Sequence, residues 1–254
     1  MNYIMNQVNT QVEYNFLKSF IDFGTRFSNG MAFILSTITM IYIIGWVRAE
    51  TYFKYLNASW ILKEFTNITY ISYSIFPVII LFSSLLILII LSLRGDIKYE
   101  HLKILIIFSF TITFICSLYG YGYGYNFQPN ISTQLIYIAS ISSSITASCL
   151  LVLIIISQNN FQWKKYLLTF FTFVMGYGIF LSPYLIGRAE GLRDSNPNTT
   201  ELPLVHVEKL SNEKLRLLHF HRDVFYLIVL QNENNNSKED IIYVVKLEDI
   251  IQIK

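Results

Sequence analysis

The fold is decided by one stretch, Leu102 to Gln158, whose sequence is LKILIIFSFTITFICSLYGYGYGYNFQPNISTQLIYIASISSSITASCLLVLIIISQ. It contains two apolar runs, 102–118 and 131–157, and its only charged residue is Lys103. About 20 apolar helical residues cross the ~30 Å hydrocarbon layer of a membrane. The stretch therefore predicts two membrane-spanning helices, which are joined by a charge-free loop over residues 119–130.

The rest of the chain is apolar enough to contain further spans. Only 14% of its residues are charged, and its mean hydropathy is +0.44. Similar runs predict spans at about 31–47, 71–93 and 166–186, which makes five in total. The predicted fold class is an α-helical multi-pass membrane protein. A net charge of +2 without a basic cluster argues against nucleic acid as a partner.

Residues 1–30 precede the first predicted span. Phenylalanine, leucine and isoleucine recur at helical spacing over residues 10–29, with charged residues between them. This pattern predicts an amphipathic helix, which would lie on the membrane surface or bind a partner in the cytoplasm. The segment lacks the basic start and short apolar core of a secretory signal.

The distribution of basic residues predicts the orientation of the chain in a cell membrane. An N-terminus inside places seven basic residues on the cytoplasmic side: Lys18, Arg26, Arg94, Lys98, Lys103, Lys164 and Lys165. Five basic residues then flank the spans outside: Arg48, Lys54, Lys63, Arg188 and Arg193. Cytoplasmic loops carry an excess of lysine and arginine, and the odd number of spans then puts the C-terminal domain outside the cell.

The tail, 202–254, has a different character. It contains short runs of β-branched and aromatic residues separated by polar residues: 204–208, 215–221, 224–230, 241–247 and 250–253. This pattern predicts a small all-β domain, an SH3-like barrel or a sandwich. A core of this size is marginal alone, so we expect contact with the membrane domain or another subunit. Residues 188–201 are predicted to be a linker.

The middle of every predicted span is free of ionisable residues. Such residues mark proton relays, coupling ions and voltage sensors in membrane proteins. Their absence from the predicted spans argues against an ion-coupled transporter, a proton pump or an intramembrane protease. Cys116 and Cys149 fall at different predicted depths, which makes a disulfide between them unfavourable.

The fourth span carries small residues four positions apart. They form two rows, which are Ala139, Ser143 and Ala147, and Ser140, Ser144 and Ser148. Rows of this kind let helices approach closely, and Gly176 and Gly178 of the fifth span are a candidate contact for them. Three interpretations stay open: packing within one subunit, a subunit interface, or the lining of a polar pore.

Two further motifs invite a chemical interpretation. Tyr119, Tyr121, Tyr123 and Tyr125 alternate with glycine, which resembles a potassium filter only loosely because the filter threonine is missing. Interfacial tyrosine rings in a flexible loop explain the same pattern. His206, His219 and His221 fall on predicted strands, and the last two would share a face. They could form a metal pair, but an exposed polar face is favoured, so neither a metal nor a cofactor is predicted.

These observations lead to one leading function and two alternatives. The leading hypothesis is a non-enzymatic membrane anchor or sensor that self-associates and whose β-domain binds a protein or envelope partner. The first alternative is an oligomeric channel lined by serine and threonine of the fourth span. The second is an enzyme acting on lipid at the outer interface, with polar groups drawn from the histidines and from Arg48, Glu50, Arg188 and Glu190.

Overall fold

A computed structural model describes residues 31–32, 34–94, 99–126, 128–156, 161–207, 210, 214–221, 224–230, 241–246, 248 and 250–253. The predicted amphipathic helix lies outside these residues. The chain divides into two compact units, Met1–Ile41 and Tyr42–Lys254. In the first unit, residues 34–41 are helical. The helix core, the sheet and the candidate site all belong to the second unit.

Helices form most of the described chain. Helix α1 covers residues 34–55. After it come a 3₁₀ segment (Ser59–Glu64), α2 (Asn67–Leu93), α3 (Tyr99–Asn126), α4 (Pro129–Ile156), α5 (Phe161–Gly176), a π-helical segment (Tyr177–Leu181) and α6 (Ser182–Asp194). Thr66 caps α2 by accepting a hydrogen bond from the Thr69 amide.

Within the described residues, four helices are long and apolar enough to cross a membrane: Asn67–Ser92, Glu100–Gly122, Pro129–Ile155 and Lys165–Asp194. The last combines α5, the π segment and α6. Their positions agree with four of the five predicted spans, and they suggest a multi-pass membrane protein. The predicted first span falls on α1, which is not among these four.

Helix α4 forms the centre of the bundle. Within the protein 72% of its apolar window is buried, whereas the other three windows are 17–33% buried. Leu150 and Leu153 of α4 pack with Leu102 of α3 and Val174 of α5 in one buried cluster. Because the centre of α4 is covered on most sides, its small residues are interior groups.

The predicted Tyr–Gly loop is helical instead, because α3 continues to Asn126. At Gly120 the two helices touch, and a Cβ there would come within 2.7 Å of the Ile136 side chain. Ser132 of α4 also donates a hydrogen bond to the Gly120 carbonyl. These contacts stabilise helical backbone where glycine alone disfavours it.

The predicted linker is shorter than its sequence indicated. Residues 188–194 lie in α6, and residues 195–203 connect that helix to the first strand. Three charged residues of this segment are buried, namely Arg188, Glu190 and Asp194. Their partners come from helices that are remote in the sequence, so local composition could not place them.

The C-terminal strands form an antiparallel half-barrel sheet. They are β1 (Leu204–Val207), β2 (Leu215–His221), β3 (Val224–Val229), β4 (Ile241–Lys246) and β5 (Ile250–Ile253). Their order is β4-β3-β2-β1-β5, so β4 and β5 are the edges among the described strands. Every pairing is antiparallel; for example, Phe225 of β3 lies opposite Val245 of β4. The structure thus has an open antiparallel sheet at the predicted position, and its closure into an SH3-like barrel or a sandwich stays a prediction.

Alternating side chains bury both faces of the sheet. Tyr226 and Ile228 face the helices and pack with Phe53 of α1 and with Leu56, which directly follows that helix. On the opposite face, Phe225 and Leu227 join Val205, Val207, Leu215 and Val245 in a second cluster. The strand period of two produces this division. The sheet therefore shares a core with the helices, as expected for a domain too small to stand alone.

Candidate functional site at the sheet end of the helices

In the described part of the chain, buried charges gather where α1, α4 and α6 meet beside the sheet. There Arg48 of α1 forms a two-point salt bridge with Glu190 of α6, through Nε to Oε2 at 3.0 Å and Nη2 to Oε1 at 2.7 Å. Arg48 also donates to the Tyr73 carbonyl at 2.8 Å, and the Tyr137 hydroxyl donates to Glu190. We call the Arg48, Tyr137 and Glu190 side chains the ionic junction.

A second carboxylate closes the end of α6. Asp194 is only 3% exposed, and it accepts hydrogen bonds from the Tyr52 hydroxyl at 3.1 Å and from the Glu201 amide at 3.2 Å. Arg193 binds both Asp194 and Glu201. Burial, together with the Asp194 carboxylate, raises the pKa of Tyr52 well above its usual value, so this hydroxyl stays a hydrogen-bond donor. Asp194 thus holds the chain that leads into β1.

Arg188 is a further buried charge, with 4% of its surface exposed. Its Nε donates to the Tyr55 hydroxyl at 3.1 Å, and its Nη1 donates to the Tyr121 carbonyl at 3.2 Å. The guanidinium also lies 3.9 Å from the centroid of the Tyr121 ring, a cation–π geometry. Arg188 therefore ties the end of α3 to both α1 and α6.

Glycines allow these helices to approach closely enough for the charges to pair. A Cβ on Gly187 would lie 2.3 Å from the Arg48 carbonyl oxygen, and a Cβ on Gly191 would lie 2.9 Å from that of Tyr52. The contacts advance in the same direction along both chains, so α1 and α6 run parallel there. Gly45 makes the corresponding approach to α2 at Tyr70.

The charged side chains of this region hold the neighbouring helices together. Arg48 and Glu190 side chains are 13% and 11% exposed, and their charged atoms are used in bonds to each other and to neighbouring helices. A buried arginine is tolerated when its donors are satisfied in this way. Four of these residues were candidates for an enzyme that acts on lipid. Arg48, Arg188 and Glu190 are bonded to other groups inside the protein, whereas Glu50 is exposed.

The small residues of α4 lie inside a single subunit. Ala139, Ser140, Ser143, Ser144, Ala147 and Ser148 are all buried. The Ser143 and Ser144 hydroxyls donate to the Ser140 carbonyl, and Ser148 pairs with Ser84 of α2 at 2.8 Å. Their burial within the chain leaves these rows little exposed surface for a partner.

The predicted contact glycines and the predicted loop tyrosines lie in other surroundings than the sequence indicated. Gly176 and Gly178 are not close-contact positions, because a Cβ on either would meet nothing within 4 Å. Tyr119 and Tyr121 are exposed on helix α3, 58% and 50%, rather than on a loop. The side chains of Tyr123 and Tyr125 lie outside the described part of the structure.

The histidines do not form the polar face that the strand pattern favoured. His206 is exposed. His219 instead packs against Phe65, with 4.5 Å between the two ring centroids. The Nε2 atom of His219 is buried without a hydrogen-bond partner. Burial, aided by His221, lowers the pKa of His219 to about 4. No group of three metal-binding side chains occurs in the residues that the structure describes.

Sequence reasoning missed the pairing between α1 and α6, although one signal was present. Gly187-Arg-Ala-Glu-Gly191 has the small-xxx-small spacing typical of close helix contacts. Comparison with protein-family models, with curated proteins and with solved structures gave no match. The function must therefore be argued from the geometry of this chain.

Proposed function

We propose that this protein is a non-enzymatic membrane anchor whose sheet binds an extended segment of a protein partner along β4. The observation that carries the proposal is the character of that strand. Strand β4 is an edge strand, and its Ile241 and Val244 side chains are 45% and 58% exposed. An edge strand can pair with an incoming strand, and exposed apolar side chains on either face of that edge add affinity.

The attachment of the sheet to the helices supports this role. Tyr226 and Ile228 belong to the core that includes Phe53 and Leu56, and Asp194 fixes the connection into β1. A partner held at β4 would therefore be held at a defined position relative to the membrane helices. A sensor would use the same contacts to pass a change in the partner to the bilayer.

The number of spans and the side of the membrane on which each end lies are also proposed. We infer that α1 is a fifth span, because its described residues run parallel to α6 at Gly187 and Gly191 and begin with an apolar run. The N-terminus would then lie in the cytoplasm of a cell, and the sheet outside. Paired reporters fused after Lys254 test this, and activity of the cytoplasmic reporter would contradict it. Closure into an SH3-like barrel stays a prediction.

A site-specific photo-crosslinking experiment tests the partner site. A photoreactive residue replaces Val244 on β4 or, as the matched control, Ile253 on β5, which is 46% exposed at the opposite edge. We expect a protein adduct in native membranes from position 244 and none from position 253. The additional change Ile241→Lys should remove the adduct, because a charged edge discourages strand addition. Adducts at both positions, or at neither, would refute the proposal.

The channel alternative receives less support from the geometry. Ser143 and Thr146 line a cleft of about 310 Å³ together with the rings of Phe110, Phe114 and Phe173. Their hydroxyls donate to carbonyls of α4 itself, which leaves them poorly placed to solvate an ion. Discrete single-channel currents from purified protein in a planar bilayer would revive this alternative. Self-association through the α4 rows is similarly disfavoured by their burial.

A further inference from the structure

A cleft opens on the outer side of the helix bundle, between α3 and α5. Its volume is about 310 Å³. The side chains at its rim are exposed, such as Phe114 at 59% and Phe173 at 66%, whereas Thr146 on its floor is completely buried. The cleft therefore leads from the outer surface of the bundle down to the central helix, α4.

The main opening of the cleft lies between two contacts that join α3 to α5. The rings of Phe110 and Phe170 meet edge to face, with 5.2 Å between their centroids. Seven residues further along both chains, the Ser117 and Tyr177 hydroxyls form a hydrogen bond at 2.5 Å. Seven helical residues rise about 10 Å, so the opening is about two turns long. Tyr177 begins the π-helical segment, a kind of turn that occurs frequently at functional sites.

The surface of the cleft is apolar even though hydroxyl groups belong to its lining residues. Thr113, Ser143 and Thr146 each donate a hydrogen bond to a carbonyl of their own helix, at 2.8–2.9 Å. The accessible wall that remains is apolar. A buried water needs about two to four polar partners, and apolar cavities stay dry. The cleft therefore suits a hydrocarbon group rather than water or an ion.

The depth of the cleft decides which hydrocarbon can reach it. Thr113 lies near the middle of the apolar helix Glu100–Gly122, and Ser143 lies near the middle of Pro129–Ile155. In a membrane, the middle of such a helix falls within the ~30 Å hydrocarbon layer. Lipid acyl chains fill that layer, so they are the apolar groups that meet the opening of the cleft.

We propose that the cleft binds one acyl chain of a membrane phospholipid. The chain lies between α3 and α5 against the rings of Phe114 and Phe173, and it reaches α4 at Thr146. A volume of about 310 Å³ holds roughly ten groups the size of a water molecule or a methylene. The cleft thus takes part of one chain and leaves the headgroup outside. This site is independent of the partner site on β4, since it uses none of the same residues.

Carbene labelling of the full chain in phospholipid vesicles tests the site. The vesicles contain a phosphatidylcholine with a diazirine in the middle of one acyl chain, and mass spectrometry locates the labelled residues. We expect label on Ser143 and Thr146, which are 4% and 0% exposed and which a chain outside the cleft cannot touch. Leu150 is the matched control, because it lies one turn further along α4, is 1% exposed and is not part of the cleft. It should carry no label.

A variant with a filled cleft provides a second measurement. Ser143→Phe places a ring on the floor of the cleft and should abolish the label on Thr146. The matched control is Ile141→Phe, which adds a ring at a position that is 36% exposed and does not line the cleft. This control should leave the label on Thr146 unchanged.

Four results would overturn the proposal. Label confined to the rim, at residues such as Phe114 and Phe173, would mean that lipid chains only pass over the cleft. Label on Leu150 as strong as on Thr146 would mean that chains enter elsewhere. An undiminished label on Thr146 in Ser143→Phe would count against the cleft as the route. Excess cholesterol that removes the label more effectively than excess unlabelled phosphatidylcholine would assign the cleft to a rigid ring system. The wild-type pattern decides the first two outcomes even if Ser143→Phe does not fold.

Discussion

Neutralising Glu190 should destabilise the protein, because it leaves the Arg48 charge buried without its counter-ion. The two side chains are 13% and 11% exposed and are joined at two points. Breaking a buried pair from one side costs ~3–5 kcal/mol. The residual exposure places Glu190→Gln near the lower end, at about 3 kcal/mol. The measurement is denaturant unfolding of the purified chain in detergent, followed by tryptophan fluorescence.

A double-mutant cycle separates the ion pair from general disruption. Arg48→Met combined with Glu190→Gln removes both charges, so its cost should be less than the sum of the single costs by about 1–3 kcal/mol. Glu100→Gln is the matched control, since it breaks the pair with Lys103, whose side chains are 72% and 43% exposed. That pair should contribute less than about 1 kcal/mol. A Glu190→Gln protein as stable as the Glu100→Gln protein would refute the reasoning.

Three further predictions concern packing and titration. Gly187→Ala forces a Cβ against the Arg48 carbonyl and should lower the free energy of unfolding by about 1–3 kcal/mol. The control Gly176→Ala, whose Cβ meets nothing within 4 Å, should leave that free energy unchanged. Equal effects of the two substitutions would contradict the α1–α6 contact. Because the pKa of folded His219 is about 4 and that of an unfolded histidine is ~6.5, the folded state disfavours its protonation, so stability should be constant above about pH 6.5 and fall toward pH 4. His219→Phe should flatten this fall in pH-dependent unfolding, and an unchanged slope would exclude His219 as its source. Ser144→Leu adds volume at a buried position and should lower the melting temperature of the chain; an unaltered melting temperature with a smaller particle size would instead indicate a subunit interface.

The helices were predictable where composition alone determines them. An apolar run such as 131–157 has few alternatives in a membrane, since every backbone polar group there must be satisfied within the segment. The boundaries were less predictable, because neighbouring helices decide them. At Gly120, contact with Ile136 extends α3 through residues whose own propensities favour a loop.

The candidate site was predictable only as separate residues. Arg48, Arg188 and Glu190 were recognised as possible outer polar groups, but Arg48 and Glu190 are 142 positions apart in the chain. Pairing at that distance depends on the arrangement of the helices, which no local pattern encodes. The spacing of Gly187 and Gly191 did encode a helix contact, although not the identity of the second helix.

The distance between Arg48 and Glu190 also has a consequence for synthesis of the protein. Helix α1 leaves the ribosome long before α6, so Arg48 enters its environment 142 residues ahead of its counter-ion. Until Glu190 arrives, that arginine has to be satisfied by water or lipid phosphate at the membrane surface. Chains that stop before α6 lack both Glu190 and the glycines that pack against α1, so their Arg48 has no counter-ion. The salt bridge between Arg48 and Glu190 can therefore form only after α6 has been made, and it joins α1 to the last of the described helices.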